Sequence, residues 1–283
     1  MAAQLQELGQ GSTFLELSTE ALGSCRVVCP STGEQRAIAD FLDAETASMA
    51  AVLGAKHRMI GLLQERIDAA VMHTVGQSTL VDDTSSIPVV PLRRLLEKLT
   101  RPSESGAPMV TAFRDGQVTA RSVRRAEGYT ESWTDGARLQ GVARSDVVVH
   151  GLDGFAGAIG ASEVDGSCSP IYHVCRPTDG GNPRFYGRLL RLLATTGYLG
   201  LFATSTRERA VDFRNWDLFG RIPVPAVPPA DQHRIGEMIR RAAPLSDAVQ
   251  RSASLVSERR QALIAAAVTG QIELVRNITK EAS

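Results

Sequence analysis

The sequence lacks most of the runs and motifs that mark the common protein classes. Its longest apolar stretch, Leu189 to Phe202, is broken by Arg191 and two glycines, far from the roughly 20 consecutive apolar residues a membrane-spanning helix requires. No basic segment followed by an apolar one opens the chain, so no secretory leader is expected. A cytoplasmic location and no membrane partner follow as expectations. The four cysteines, at 25, 29, 168 and 175, form no C-x-x-C pair, and the five histidines are scattered, which argues against a disulfide framework or a zinc site. There is no Walker A loop, no G-x-G-x-x-G turn and no G-x-S-x-G elbow, nor the paired carboxylates with E-x-K that a metal-dependent nuclease uses. No cofactor, no metal and no catalytic residue are expected, and the chain is not expected to be an enzyme. Net charge is also absent, with 31 Lys+Arg against 31 Asp+Glu.

The charges are unevenly spread. From Ser85 to Arg221 there are 18 Lys+Arg against 14 Asp+Glu, which leaves 13 against 17 for the rest, and Lys98 is the only lysine of that stretch. A preference for arginine reflects either the composition of the genome or a need for forked contacts to phosphate and guanine.

What the sequence does contain is a duplication. Glu34-Gln-Arg-Ala-Ile-Ala-Asp-Phe-Leu42, running on to Gln64-Glu-Arg66 and Val75-Gly-Gln77, is echoed by Asp231-Gln-His-Arg-Ile-Gly-Glu-Met-Ile239, Ser257-Glu-Arg259 and Val268-Thr-Gly-Gln271. Ile38, Leu42, Met49, Leu53, Ile60, Leu63, Ile67 and Val71 recur at helical spacing, predicting one amphipathic helix of roughly 40 residues, about 60 Å long. Such a stripe needs a partner. The second copy supplies one through Ile235, Ile239, Leu245, Val249, Val256 and Leu263, with a kink or short break expected at Pro244. Because both copies lie in one chain, the pair is expected to close within a monomer. Ser31 or Thr32 is placed to cap the first helix.

The intervening residues change character. Gln77 to Ser86 reads as a linker, and Leu92 to Leu99 as a short helix. Strands are predicted at Met109–Phe113, Gln117–Thr119, Asp146–His150, Ala156–Ile159 and Tyr172–Cys175, and a helix at Arg184–Thr196. This is a mixed α/β domain. Asn182-Pro-Arg-Phe185 is similar to the Asn-Pro-Pro-aromatic loop of adenine methyltransferases, but its third residue is arginine and no glycine-rich cofactor strand precedes it. It is expected to lead into the helix.

Three further runs carry a family resemblance: Asp146-Val-Val-Val-His-Gly-Leu-Asp-Gly-Phe-Ala-Gly-Ala-Ile-Gly-Ala-Ser162, then Asp165-Gly-Ser-Cys-Ser-Pro-Ile-Tyr172, and the approach Arg221-Ile-Pro-Val-Pro225 leading to Glu258-Arg-Arg-Gln-Ala-Leu-Ile-Ala-Ala-Ala-Val-Thr-Gly270. In this order they resemble the target recognition domain and conserved helix of the specificity subunit of type I restriction-modification systems. The resemblance implies an α/β target recognition domain plus a long antiparallel two-helix coiled coil. It divides the chain into a remnant of a first recognition domain (1–33), a first conserved helix (34–76), a linker (77–86), the recognition domain (87–225), a second conserved helix (226–272) and a tail (273–283). The family pattern has two recognition domains. One complete copy here implies a half-length or truncated form.

The implied partners are double-stranded DNA, methyltransferase subunits, a restriction or motor subunit and, given the single reader, a second specificity half-subunit. The candidate DNA-binding residues are Arg114, Arg121, Arg124, Arg125, Thr204, Ser205, Arg207, Arg209 and Arg214. A solvated surface charge is the competing reading for each. A truncated coiled-coil interaction protein without DNA reading is the competing reading for the whole chain.

Overall fold

The first long helix starts where the sequence supplies a reciprocal cap. In the computed structural model, the Ser31 hydroxyl accepts from the Glu34 N–H at 3.3 Å, while the Glu34 carboxylate accepts from the Ser31 N–H at 2.8 Å. Two N–H groups that have no partner inside a helix are thereby satisfied. The structure describes residues 17–25, 27, 29–80, 87–124, 139–178, 180–202 and 212–271.

A short helix, α1 (Thr19–Gly23), is capped by Ser18. The long helix α2 (Thr32–Leu80) has 49 residues, about 73 Å at 1.5 Å per residue. Ten strands follow among the described residues: β1 (Val89–Pro91), β2 (Leu96–Lys98), β3 (Val110–Ala112), β4 (Val118–Ala120), β5 (Gln140–Val142), β6 (Val147–His150), β7 (Ile159–Ala161), β8 (Gly166–Cys168), β9 (Tyr172–Pro177) and β10 (Pro223–Pro225). Helices α3 (Arg121–Arg124), α4 (Pro183–Thr195) and α5 (Trp216–Phe219) lie among them, and α6 (Pro229–Val268) ends the fold.

The centre is a four-stranded antiparallel sheet in the order β2-β9-β6-β7. It explains why Asp146–His150 shows no alternation of apolar and polar residues: both faces are covered. Val147 and Val149 face a core built on Phe185, Tyr186, Leu189 and Leu190 of α4. Val148 faces the opposite way, into a second core with Val110, Val118, Val142, Cys168 and Val174. The β3–β4 hairpin and the β5–β8 pair contribute to that second layer, and β1 pairs with β10.

The chain divides into two compact units, Met1–His57 with Arg251–Ser283, and Arg58–Gln250. In the first, Lys56 Nζ donates to Ser252 Oγ at 2.8 Å. In the second, Arg234 donates to Thr74 Oγ1 at 3.3 Å. In each unit α2 and α6 thus meet side by side, and the α6 residue met by the later part of α2 comes earlier in α6, as in an antiparallel pair. Every residue of the expected α2 stripe is buried or half-buried.

The structure corrects four expectations. Leu92–Leu99 is not a helix: a single 3-10 turn at Leu92–Arg94 leads into β2, whose pairing with β9 outweighs local helical spacing. The strand expected at Ala156–Ile159 begins only at Ile159, because Gly154–Ala156 forms a 3-10 turn closed by Gly157 at φ 93°. No break occurs at Pro244: α6 runs through it, held on either side by buried Ile235 and Val249. Leu245 is exposed, and the buried stripe of α6 turns to small residues instead, Ala253 and Ala267.

Candidate nucleic-acid interface

Four of the nine candidate residues can be placed, and two of them meet at one turn. Residues 151–157, between β6 and β7, form a tight turn in which five of the seven backbone N–H groups donate hydrogen bonds. The Leu152 and Asp153 N–H groups both donate to Nδ1 of His150, at 3.1 and 2.9 Å. Gly151 donates to the Ile171 carbonyl, Ala156 and Ala158 to the Asp153 carbonyl, and Gly157 to that of Gly154. Glycine is required at 151 by close approach, since a Cβ there would overlap the Ile171 carbonyl and lie 2.7 Å from Arg214 Cγ.

Arg114 reaches this turn from one loop and Arg214 from another. Arg114 Nη2 donates to Asp153 at 3.0 Å. Arg214 packs on Gly151 and is held by Asp212 through Nε and Nη2, the latter at 2.6 Å. The intervening Phe213 is fastened at both ends of its peptide: its N–H donates to the Gly151 carbonyl at 2.8 Å, and its carbonyl accepts from His173 Nε2 at 2.5 Å. Burial, with a smaller contribution from Arg114, holds the His150 pKa below its ordinary value against the opposing pull of Asp153. The neutral ring can therefore keep Nδ1 as an acceptor.

Arg124 ends the short helix α3, paired with Asp115 at 2.7 Å and stacked 4.3 Å above the Phe113 ring. Arg121 turns toward the Thr111 hydroxyl at 3.5 Å. Arg125, Thr204, Ser205, Arg207 and Arg209 lie outside the described residues. Four contributors were not apparent from the sequence. Arg191 of α4 runs under the Arg114 loop, with Nε 3.4 Å from the Arg114 carbonyl, and His150 caps the turn. Leu152 and Phe155 stand exposed on it. The available signal was the Gly-Leu-Asp-Gly-Phe run directly after an apolar strand.

Asn182-Pro-Arg-Phe185 leads into α4 as expected. Asn182 is the N-cap, accepting from Arg184 and Phe185 N–H groups, and Phe185 is fully buried, which excludes it as a base-stacking platform. Cys168 is buried, which pushes its thiol up to about 12, and burial pushes Cys175 up as well. Among the described residues no group of three or more His, Cys, Asp or Glu side chains could hold a metal, and no helix is long and apolar enough to cross a membrane.

The sequence matches no family model and no curated protein. The fold does have solved counterparts. The S subunit of a type I restriction-modification system from M. genitalium aligns over 93% of this chain and 68% of its own, with a TM-score of 0.50 at 15% identity. The chain has the fold of a type I specificity subunit. The HsdS subunit from Thermoanaerobacter tengcongensis aligns over 95% of this chain and 68% of its own (TM-score 0.44, 12% identity). A structure on complex assembly and conformational transition of the type I R-M system aligns over 94% and 67% (TM-score 0.47, 14% identity). The specificity-subunit fold accounts for both the long helix pair and the mixed α/β module.

Within that fold the module is fastened to the helices by buried and half-buried polar groups. Arg188 of α4 donates to Asp68 at 2.6 Å and to the Gln64 carbonyl at 2.9 Å. Gln232 of α6, fully buried, accepts from the Asn182 N–H and donates to the Tyr186 hydroxyl and the Val227 carbonyl.

Proposed function

We propose that this chain is a non-catalytic, sequence-specific DNA-binding subunit of a type I restriction-modification complex, working in the cytoplasm. Residues 87–225 read double-stranded DNA. The helix pair spaces this reader and offers a platform to methyltransferase subunits and to the restriction or motor subunit, which supply the chemistry. One reading module suits half of a divided target, so a second specificity half-subunit is the natural complement.

The observation that carries this reading is the convergence of Arg114 and Arg214 on the 151–157 turn of a module with the specificity-subunit fold. Guanidinium groups at an exposed rim suit phosphate and guanine. Arg207 and Arg209 stand a few positions before Arg214 in the sequence. Binding is tested by gel shift and anisotropy on duplex DNA over a range of salt. Arg207→Glu with Arg209→Glu is expected to weaken binding and flatten the salt dependence; unchanged affinity for the preferred site removes that loop from the interface.

A second reading is favoured by one observation: each of Arg114, Arg124 and Arg214 is already neutralised by an aspartate. In that reading the chain is a coiled-coil interaction protein that reads no DNA. Co-purification with methyltransferase subunits together with no footprint on any duplex selects it.

A further inference from the structure

We propose that Leu152 and Phe155 form an apolar base-contacting element, on the turn that Arg114 and Arg214 also reach, that gives this chain its sequence preference on double-stranded DNA. The inference rests on the DNA-binding reading above and names the residues that discriminate. Both side chains are large and exposed, Leu152 at 41% and Phe155 at 38%. Exposed apolar residues are ordinary on flexible loops, but this turn is not flexible in its bonding. His150 Nδ1 holds two of its N–H groups, Asp153 holds two more through its carbonyl, and Gly151 is bonded to both Ile171 and Phe213. The bonded residues on either side of them present both side chains at the surface, where they are open to a partner.

The chemistry of the surroundings identifies that partner. Asp153 lies between the two apolar residues and receives Arg114 through a single N–H, so most of that guanidinium's donors are uncommitted to it. Arg214 is seated on Gly151, immediately before Leu152. An apolar pair bordered by guanidinium groups matches the alternation of a DNA groove, where base edges and thymine methyls lie between rows of phosphates. The division of labour follows from what each group can sense. In this division Arg114 and Arg214 hold phosphates, which are the same at every step, and contribute affinity without preference. Contact with base edges distinguishes sequences directly, and an apolar side chain finds its complement there in the thymine methyl.

The test separates these roles. A preferred duplex is first selected from a randomised pool with the full-length chain, and affinities for it and for a scrambled duplex are measured by anisotropy over a series of KCl concentrations. Leu152→Ser and Phe155→Ser are each expected to lower the ratio of the two affinities about tenfold, with the salt slope unchanged. Arg114→Gln and Arg214→Gln are expected to weaken both duplexes together and to reduce the slope by about one each. Should a serine variant melt early, Leu152→Thr and Phe155→Leu repeat the comparison. A wild-type ratio in the folded variants overturns the proposal and leaves the pair to a protein partner. Failure of the wild type to enrich any duplex overturns the DNA-binding reading itself, a different result.

Discussion

His150 acts through a nitrogen that must stay unprotonated. Its Nδ1 accepts two backbone N–H groups of the turn that bears Leu152 and Phe155, and burial keeps its pKa below the ordinary value, which is near 6.5. As pH falls through about 6.5 the unfolded chain takes up a proton that the folded chain resists, so the unfolded state binds more protons in that window. The contribution is therefore intact above about pH 6.5 and is eroded below it. Buried His173, bonded to the Phe213 carbonyl, has the same sign. The unfolding midpoint is expected to fall more steeply below about pH 6.5 in the wild type than in a His150→Asn variant; comparing the two cancels carboxylates such as Glu163, which burial shifts upward. None of this was legible in the sequence, where His150 ended an apolar strand and carried no sign of which ring nitrogen would be used. Arg114 and Arg214 were legible as arginines in a basic stretch, but a hundred residues separate them and only the fold brings both to one turn.

The two long helices were readable because a stripe repeated over many turns needs no knowledge of its surroundings. The strands were harder: most have three residues, too few to establish a period, and β2 shows that pairing with a distant strand overrides local spacing. The polar fasteners between elements were invisible for the same reason, since Asp68 and Arg188 lie 120 positions apart. Arg188 is only 11% exposed and Asp68 29%. Removing one partner leaves the other half-buried and unpaired, at a cost of about 1–3 kcal/mol. Arg188→Leu and Asp68→Leu are each expected to show this loss in urea denaturation, and the double variant to lose less than the sum. Pro244 offers the opposite case. The helix crosses it intact, yet no N–H is available to the Arg240 carbonyl one turn earlier. Pro244→Ala is expected to raise stability by about 1–3 kcal/mol in the same assay.

For the molecule as a whole, a formal charge of zero conceals a basic middle and acidic flanks. Pairing of the duplicated helices within one chain makes self-association optional. With the four native cysteines replaced, Lys56→Cys and Ser252→Cys joined by a short bismaleimide are expected to give a product of one chain mass, 30.3 kDa; a product of two chain masses would mean that the helices are exchanged between copies. The opposite running of the two helices has a further consequence. The start of α2 and the finish of α6 emerge at the same end of the pair, so a short linker could suture Gly270 to Ser31 and the chain could be reopened at the exposed Glu104–Gly106 bend. Such a circular permutant is expected to fold with the wild-type circular dichroism spectrum, because the order in which the ribosome meets the two helices is incidental to how they lie together.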